Sequence, residues 1–157
     1  MNKKIELRIL TKSDLVVGDT DVLRELEKVE VELTVNSFDE GLRREIEPRA
    51  PSMERRFEAL EKLHDAGIGT YAFIAPVIPN LTDLGYVIEQ TKDFVEYYII
   101  ELLNLKARTF RDWLRENYPA SYSIITNELE RYINKIHRTI EEHRVVVEDI
   151  IVHPQSL

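Results

Sequence analysis

The sequence predicts an α/β fold, a partial (β/α) barrel of about four parallel strands with helices outside it and a C-terminal helical extension. Three observations lead there. Stretches of strand period alternate with stretches of helical period up to residue 105, a succession of βαβ units that right-handed crossovers turn into a parallel sheet. The two leading strands each carry one wholly polar face, which suits the lumen of an open barrel rather than a sheet covered on both sides. Beyond residue 105 the pattern becomes helical. Four strands cannot close a barrel, so the pattern reads as half of one.

The first strand, residues 5–12, sends Ile5, Leu7 and Ile9 one way and Glu6, Arg8 and Lys12 the other. A turn at Gly18-Asp19 leads to a helical stretch over 21–28, with Val22, Leu23 and Leu26 on one face. In the second strand Val29, Val31, Leu33 and Val35 alternate with Glu30, Glu32, Thr34 and Asn36. Ser37 or Asp39 can open a short helix to Glu45, and Glu47-Pro48-Arg49-Ala50-Pro51 is a rigid loop. Ser52 then caps a helix whose apolar stripe is Met53, Phe57, Leu60 and Leu63, and Gly67 ends it.

A third strand, residues 70–78, is apolar on both faces and is expected to be covered on both. A helix over 84–93 and a fourth strand over 96–105 follow. Two helices are expected next, 107–118 and 119–144, the second with Tyr122, Ile125, Leu129, Tyr132, Ile136 and Ile140 at helical spacing. Residues 145–152 fit either a short strand or an extended tail. The domain organisation expected is thus 1–105 for the half barrel and 106–157 for a helical extension packed on it.

Composition narrows the function. The chain has 157 residues with 43% hydrophobic residues, enough for one domain with a core. Its 21 Lys and Arg against 29 Asp and Glu give a net charge of −8, so sequence-independent nucleic-acid binding is not expected. The chain contains no cysteine, which excludes disulfides, thiolate zinc sites, cysteine nucleophiles and an iron–sulfur cluster held by its own thiolates. The longest apolar runs fall far below the roughly 20 residues that span a bilayer, and no signal peptide is recognised. A soluble, cytoplasmic protein is expected, with no membrane partner. His64, His137, His143 and His153 show no metal-ligand spacing. His64 complements a helix dipole, while His137 and His143 read as surface. Phe110, Trp113, Tyr118 and Tyr122 read as core between the terminal helices and the sheet.

Several strings, taken together and in order, resemble radical S-adenosylmethionine (SAM) proteins close to spore photoproduct lyase. They are Ile9-Leu10-Thr11-Lys12-Ser13, Thr34-Val35-Asn36-Ser37, Glu47-Pro48-Arg49-Ala50-Pro51-Ser52-Met53-Glu54-Arg55-Arg56, and Ala66-Gly67-Ile68 followed by Ile74-Ala75-Pro76-Val77-Ile78-Pro79. The resemblance implies the later strands of a (β/α)₆ partial barrel, starting at what looks like its fourth. Members of that family hold a [4Fe–4S] cluster with a CxxxCxxC loop and use it to cleave SAM to a 5′-deoxyadenosyl radical. With no such loop, the chain is expected to bind no cluster and to be inactive alone. It would be the SAM-orienting part of such an enzyme, or else a non-catalytic binding or assembly module that self-associates. Its expected partner is the missing half of the domain or a second copy.

Ligands of parallel α/β folds gather at the C-terminal ends of the strands. The resemblance assigns Lys12 to the SAM carboxylate, Thr34 to the amino-acid or ribose groups, and the backbone of Ala75-Pro76 to the adenine. Lys12 taken singly also fits a solvated strand-end lysine. Asn36, with Ser37, reads equally as a ligand or as a turn and cap residue. Glu6, Arg8, Glu30 and Glu32 share the inner face as a substrate pocket or a structural ion-pair layer. In an isolated half barrel they are expected to face solvent, with Arg8 pairing a Glu across the strands.

Overall fold

The computed structural model describes residues 6–153. Ile5, placed by its alternation in the first strand, lies outside them. Five strands run in sequence order across one sheet: β1 (Glu6–Thr11), β2 (Lys28–Val35), β3 (Gly69–Val77), β4 (Tyr97–Leu102) and β5 (Val147–Ile151). Every neighbouring pair is parallel. Among the described residues β1 and β5 are the two edges, and the sheet does not close.

The helices between them are α1 (Thr20–Leu23), α2 (Glu40–Ile46), α3 (Met53–Asp65), α4 (Leu84–Thr91), α5 (Arg108–Asn117), α6 (Pro119–Asn127) and α7 (Leu129–His143). They stack on one face of the sheet: α3 lies on β2 and β3, and α4 packs against β3 and α7. That face holds the core. Val31, Leu33, Val35, Ile74 and Ile100 are completely buried there, beneath Leu60, Leu63, Val87, Ile88 and Leu114. The opposite face carries Arg8, Leu10, Glu30, Phe73, Ile99 and Glu101 and stays partly open. The apolar faces of the leading strands dictate this outcome, because only they gain by meeting helices; the other face of β1 is not wholly polar as expected, since Leu10, 56% exposed, stands there between Arg8 and Lys12.

Local chemistry sets the element ends. Ser52 Oγ accepts the amide of Arg55 at 3.3 Å and Asp39 Oδ1 that of Leu42 at 2.9 Å, so both sequence-expected caps are made. Gly67 ends α3 at φ 77°, a left-handed conformation that costs other residues strain.

Three expectations change, and one open reading is decided. Instead of a helix over 21–28 there is a 3-10 segment, Asp14–Asp19, and the single turn of α1, after which β2 begins at Lys28. Val22 is left 66% exposed, so its apolar spacing found no surface to bury against. The long terminal helix is broken at Glu128 (φ −129°), where Thr126 and Asn127 turn their side chains back to Tyr122 O (3.0 Å) and Ser123 Oγ (3.2 Å). Residues 147–151 form a fifth strand beside β4, so the helices from α5 to α7 lie within a β4–β5 crossover. Finally, the inner face of β3 is not covered by helices; Tyr71, Phe73 and Ala75 lie on the face without helices, where Tyr71 and Ala75 are nonetheless buried.

Candidate functional site

A cavity of about 510 Å³ opens at the C-terminal edge of the sheet, on the face without helices. Leu10 and Lys12 from the end of β1, Thr34 from β2, Phe73, Ala75 and Pro76 from β3, and Glu101 from β4 line it. Parallel strands all end at one edge, so residues remote in sequence arrive together. Three of the four sequence-nominated residues, Lys12, Thr34 and Ala75, share this wall. Asn36 does not. It is 1% exposed, its Nδ2 donates to Pro76 O at 2.7 Å, and its Oδ1 accepts from Ser37 N at 2.8 Å. Ser37 Oγ in turn accepts the amide of Asp83 at 2.6 Å. The Asn36 side chain braces the turn of β3 that carries Ala75 and Pro76.

Around Ala75 the β3–β4 ladder shifts register between Ile74 and Val77, and the Ala75-Pro76 peptide is cis. The main chain there faces the cavity without a continuous ladder.

Lys12 is anchored from behind. Its ammonium donates to Glu47 Oε1, while Glu47 Oε2 accepts from Arg56 Nη2. Arg56 is completely buried, and its other donors reach Thr34 O at 3.0 Å and Pro51 O at 3.2 Å. Burial alone would raise the Glu47 carboxyl, but the bonds from Lys12 and Arg56 outweigh it and hold the group below its ordinary value. Arg43 secures the same loop from the other side, donating to Glu47 O at 3.2 Å and Ala50 O at 2.5 Å while Glu40 holds its guanidinium. The Glu-Pro-Arg…Glu-Arg-Arg string is therefore the frame behind the cavity wall.

Further residues complete the site. Phe110 reaches the cavity from α5, though it also packs on the core with Trp113, Tyr118 and Tyr122. Glu101 is bound at 2.7 Å by His153 Nε2, which β5 delivers to the same edge. Glu101 stands at the C-terminal end of β4, where parallel folds place ligands, while its His153 partner follows only from residues 147–151 being a strand. His143 is not a surface residue as expected: only 19% of its side chain is exposed, with Nδ1 2.7 Å from Thr139 O and Nε2 3.5 Å from Glu89.

Below the cavity lies the polar layer. Arg8 faces Glu30 in register and binds it at 2.9 Å, with Glu32 at 3.3 Å. The cross-strand pairing is as expected, but the full exposure is not, since Glu32 is only 5% exposed. Tyr71 lies in register beside Glu32 and stacks on Tyr97 at 3.7 Å, so the two rings shield what a bare sheet would leave wet. Burial pushes the Glu32 carboxyl up, against the pull of Arg8. Burial, then Glu96, pushes the Tyr71 hydroxyl to about 12.

An open parallel sheet, helices on one face and a cavity at its C-terminal edge define one side of a (β/α) barrel. The chain belongs to the radical SAM superfamily, whose model matches residues 1–89. It is 46% identical over 156 residues to uncharacterized protein MJ0683 of Methanocaldococcus jannaschii, covering 98% of this chain and 60% of that one. A second relative, uncharacterized protein ORF301 of Acidianus two-tailed virus, is 30% identical over 114 residues, 71% of this chain and 36% of its own length. Among solved structures, spore photoproduct lyase complexed with dinucleoside spore photoproduct superimposes with a TM-score of 0.62 at 17% identity, over 92% of this chain and 50% of that one. SuiB of Streptococcus suis bound to S-adenosylmethionine does so with a TM-score of 0.55 at 13% identity, over 97% of this chain and 32% of that one. At such identities the likenesses speak for the fold. The chain thus spans less than two thirds of each of these proteins. Among the described residues no helix is long and apolar enough to cross a membrane.

The donor chemistry separates the superfamily's two cofactors. A [4Fe–4S] cluster is held by thiolates, and a chain without cysteine has none to offer, so no step through a cluster is assigned to it. SAM needs a cation for its carboxylate, polar groups for its amino-acid and ribose parts, and an apolar slot for its purine. The cavity has Lys12, Thr34, and the ring and methyl surfaces of Phe73 and Ala75.

Proposed function

We propose that this chain is the SAM-orienting side of a radical SAM domain, catalytically incomplete by itself because it cannot ligate the cluster. The observation that carries the reading is the meeting of Lys12, Thr34 and Ala75, from three separate strands, in one cavity at the C-terminal edge. In it Lys12 pairs with the SAM carboxylate, a charge-assisted contact, and Thr34 hydrogen-bonds the amino-acid or ribose groups. The Ala75 main chain lies along the adenine. Asn36 acts indirectly, by holding Pro76. Bound there, SAM would supply a sulfonium C5′–S bond that a one-electron reductant can break, releasing methionine, with the electron delivered by a cluster that this chain does not hold. Residues 106–157 serve the same unit, closing the cavity through Ala107 and Phe110.

The partner on this reading is the remainder of such a domain, seated against the open face. A second copy of the chain is the alternative. It is favoured by one observation: Leu10, 56% exposed, stands on that face at the free edge strand.

The test is anaerobic iron–sulfur reconstitution with SAM and a reductant, read by release of 5′-deoxyadenosine. The chain alone is expected to release none. Supplemented with a separately expressed CxxxCxxC-bearing segment of a complete family member, it is expected to release it, and Lys12→Ala to abolish most of that gain. Release by the chain alone overturns the incomplete role; equal SAM binding by wild type and Lys12→Ala overturns the site.

A further inference from the structure

We infer that Glu47 is a positioning residue that fixes the Lys12 ammonium at the cavity wall, selecting nucleoside ligands that carry a carboxylate over those that do not. The inference rests on the SAM reading for its ligand class, but its geometry stands independently.

Glu47 divides its two oxygens between two cations of opposite character. Arg56 is wholly buried and permanently charged, so it needs a counter-ion, and Glu47 is the carboxylate that it reaches. Lys12 is different. Its side chain is 49% exposed, and Glu47 is its partner among the described residues. An ammonium has three donors, so one bond leaves two for the cavity. Two cations on one anion leave the group with a net positive charge, and the exposed part of it is Lys12. Arg43 and Arg56 hold the main chain at Glu47, Ala50, Pro51 and Thr34, and Arg56 Nη2 holds the carboxylate itself. A long, flexible side chain is thereby immobilised before any ligand arrives, which removes much of the ordering cost of binding.

A purely electrostatic role for Glu47 predicts the reverse. Deleting a negative charge beside Lys12 would raise the positive potential in the cavity and tighten the binding of a carboxylate.

The experiment uses the 157-residue chain and its Glu47→Gln variant, with two readouts. The first is ligand-free: NMR of the Lys12 ammonium, or of its dimethylated form, reports side-chain order. The second is calorimetric titration with SAM and with 5′-methylthioadenosine, which keeps the nucleoside and loses the amino-acid part. Expected in Glu47→Gln are a mobile Lys12, SAM affinity weakened on the order of tenfold, and 5′-methylthioadenosine affinity unchanged. A Lys12 signal as ordered as in wild type overturns the inference, as does SAM binding that is equal or tighter. If wild type binds no SAM while Lys12 loosens in the variant, the positioning role stands and the SAM reading fails. Should the buried Arg56 charge prevent Glu47→Gln from folding, Glu47→Gln with Arg56→Met removes that charge, and the same outcomes apply.

Discussion

Glu47 and Glu32 are both buried glutamates, and they titrate in opposite directions because their partners differ. Two cations hold Glu47 below its ordinary value, so its contribution is complete above pH 4.5 and is lost as pH falls through the lower folded-state value. Glu47→Gln is expected to lower stability at neutral pH by roughly 3–5 kcal/mol, since it strands the Arg56 charge, and to flatten the acid limb of the stability curve. Glu32 lies above its ordinary value because burial outweighs Arg8. Its penalty is present above the raised folded-state value and is relieved as pH falls toward 4.5. Glu32→Gln is therefore expected to match or exceed wild-type stability at neutral pH. Urea titrations across the acid range check both signs. At this scale the sequence was informative about residue type and misleading about surroundings. Arg8 and its cross-strand glutamate were legible from strand alternation, but the burial of Glu32 depends on Tyr71 and Tyr97, which arrive from strands far along the chain.

The elements differ in how much of their origin is local. α3 was readable because its signals lie within itself: the Ser52 cap, the apolar stripe and Gly67. Ser52→Ala is expected to cost about 1 kcal/mol in thermal or urea unfolding, with no effect on SAM binding. α6 and α7 were read as one helix because their apolar spacing continues across Glu128. Side-chain bonds to the backbone ended α6, a competition that hydrophobic period does not register. β5 was ambiguous for a different reason. It is short, and only its pairing with β4 makes it a strand. The helices between β4 and β5 are expected to unfold with the sheet: Leu114, wholly buried in α5, should cost roughly 2–5 kcal/mol when replaced by Ala. A single transition seen by both tryptophan fluorescence and circular dichroism checks this, since Trp113 reports α5 itself. Two separated transitions would make residues 106–157 an independent unit.

On the scale of the whole molecule, one face of the sheet is finished and the other is not. The helical face buries a continuous apolar core, while the open face combines an ion-pair layer, a stacked tyrosine pair and a cavity. Among the described residues both sheet edges and this face lie open, the proposed seat of a partner, and light scattering after size exclusion distinguishes the two proposed occupants. A monomer that forms a one-to-one complex with a CxxxCxxC-bearing segment supports the domain remainder. A dimer that Leu10→Lys dissociates supports a second copy.

What the sequence determined by itself is whatever its periodicity and composition express locally. That covers the parallel α/β class, the mostly polar inner faces of β1 and β2, the caps of α2 and α3, and the exclusion of a self-ligated cluster by the absence of cysteine. The resemblance grouped Lys12, Thr34 and Ala75 at the strand ends, and tertiary structure decided how they meet. It set Lys12, Thr34 and Ala75 around one cavity, turned Asn36 inward as a brace, and brought Glu101, His153 and Phe110 to the same edge. The physical reason is that a side chain's direction along a strand has a period of two that any sequence displays. Its neighbours across the sheet depend on register, and register is settled only when the whole helical face is packed.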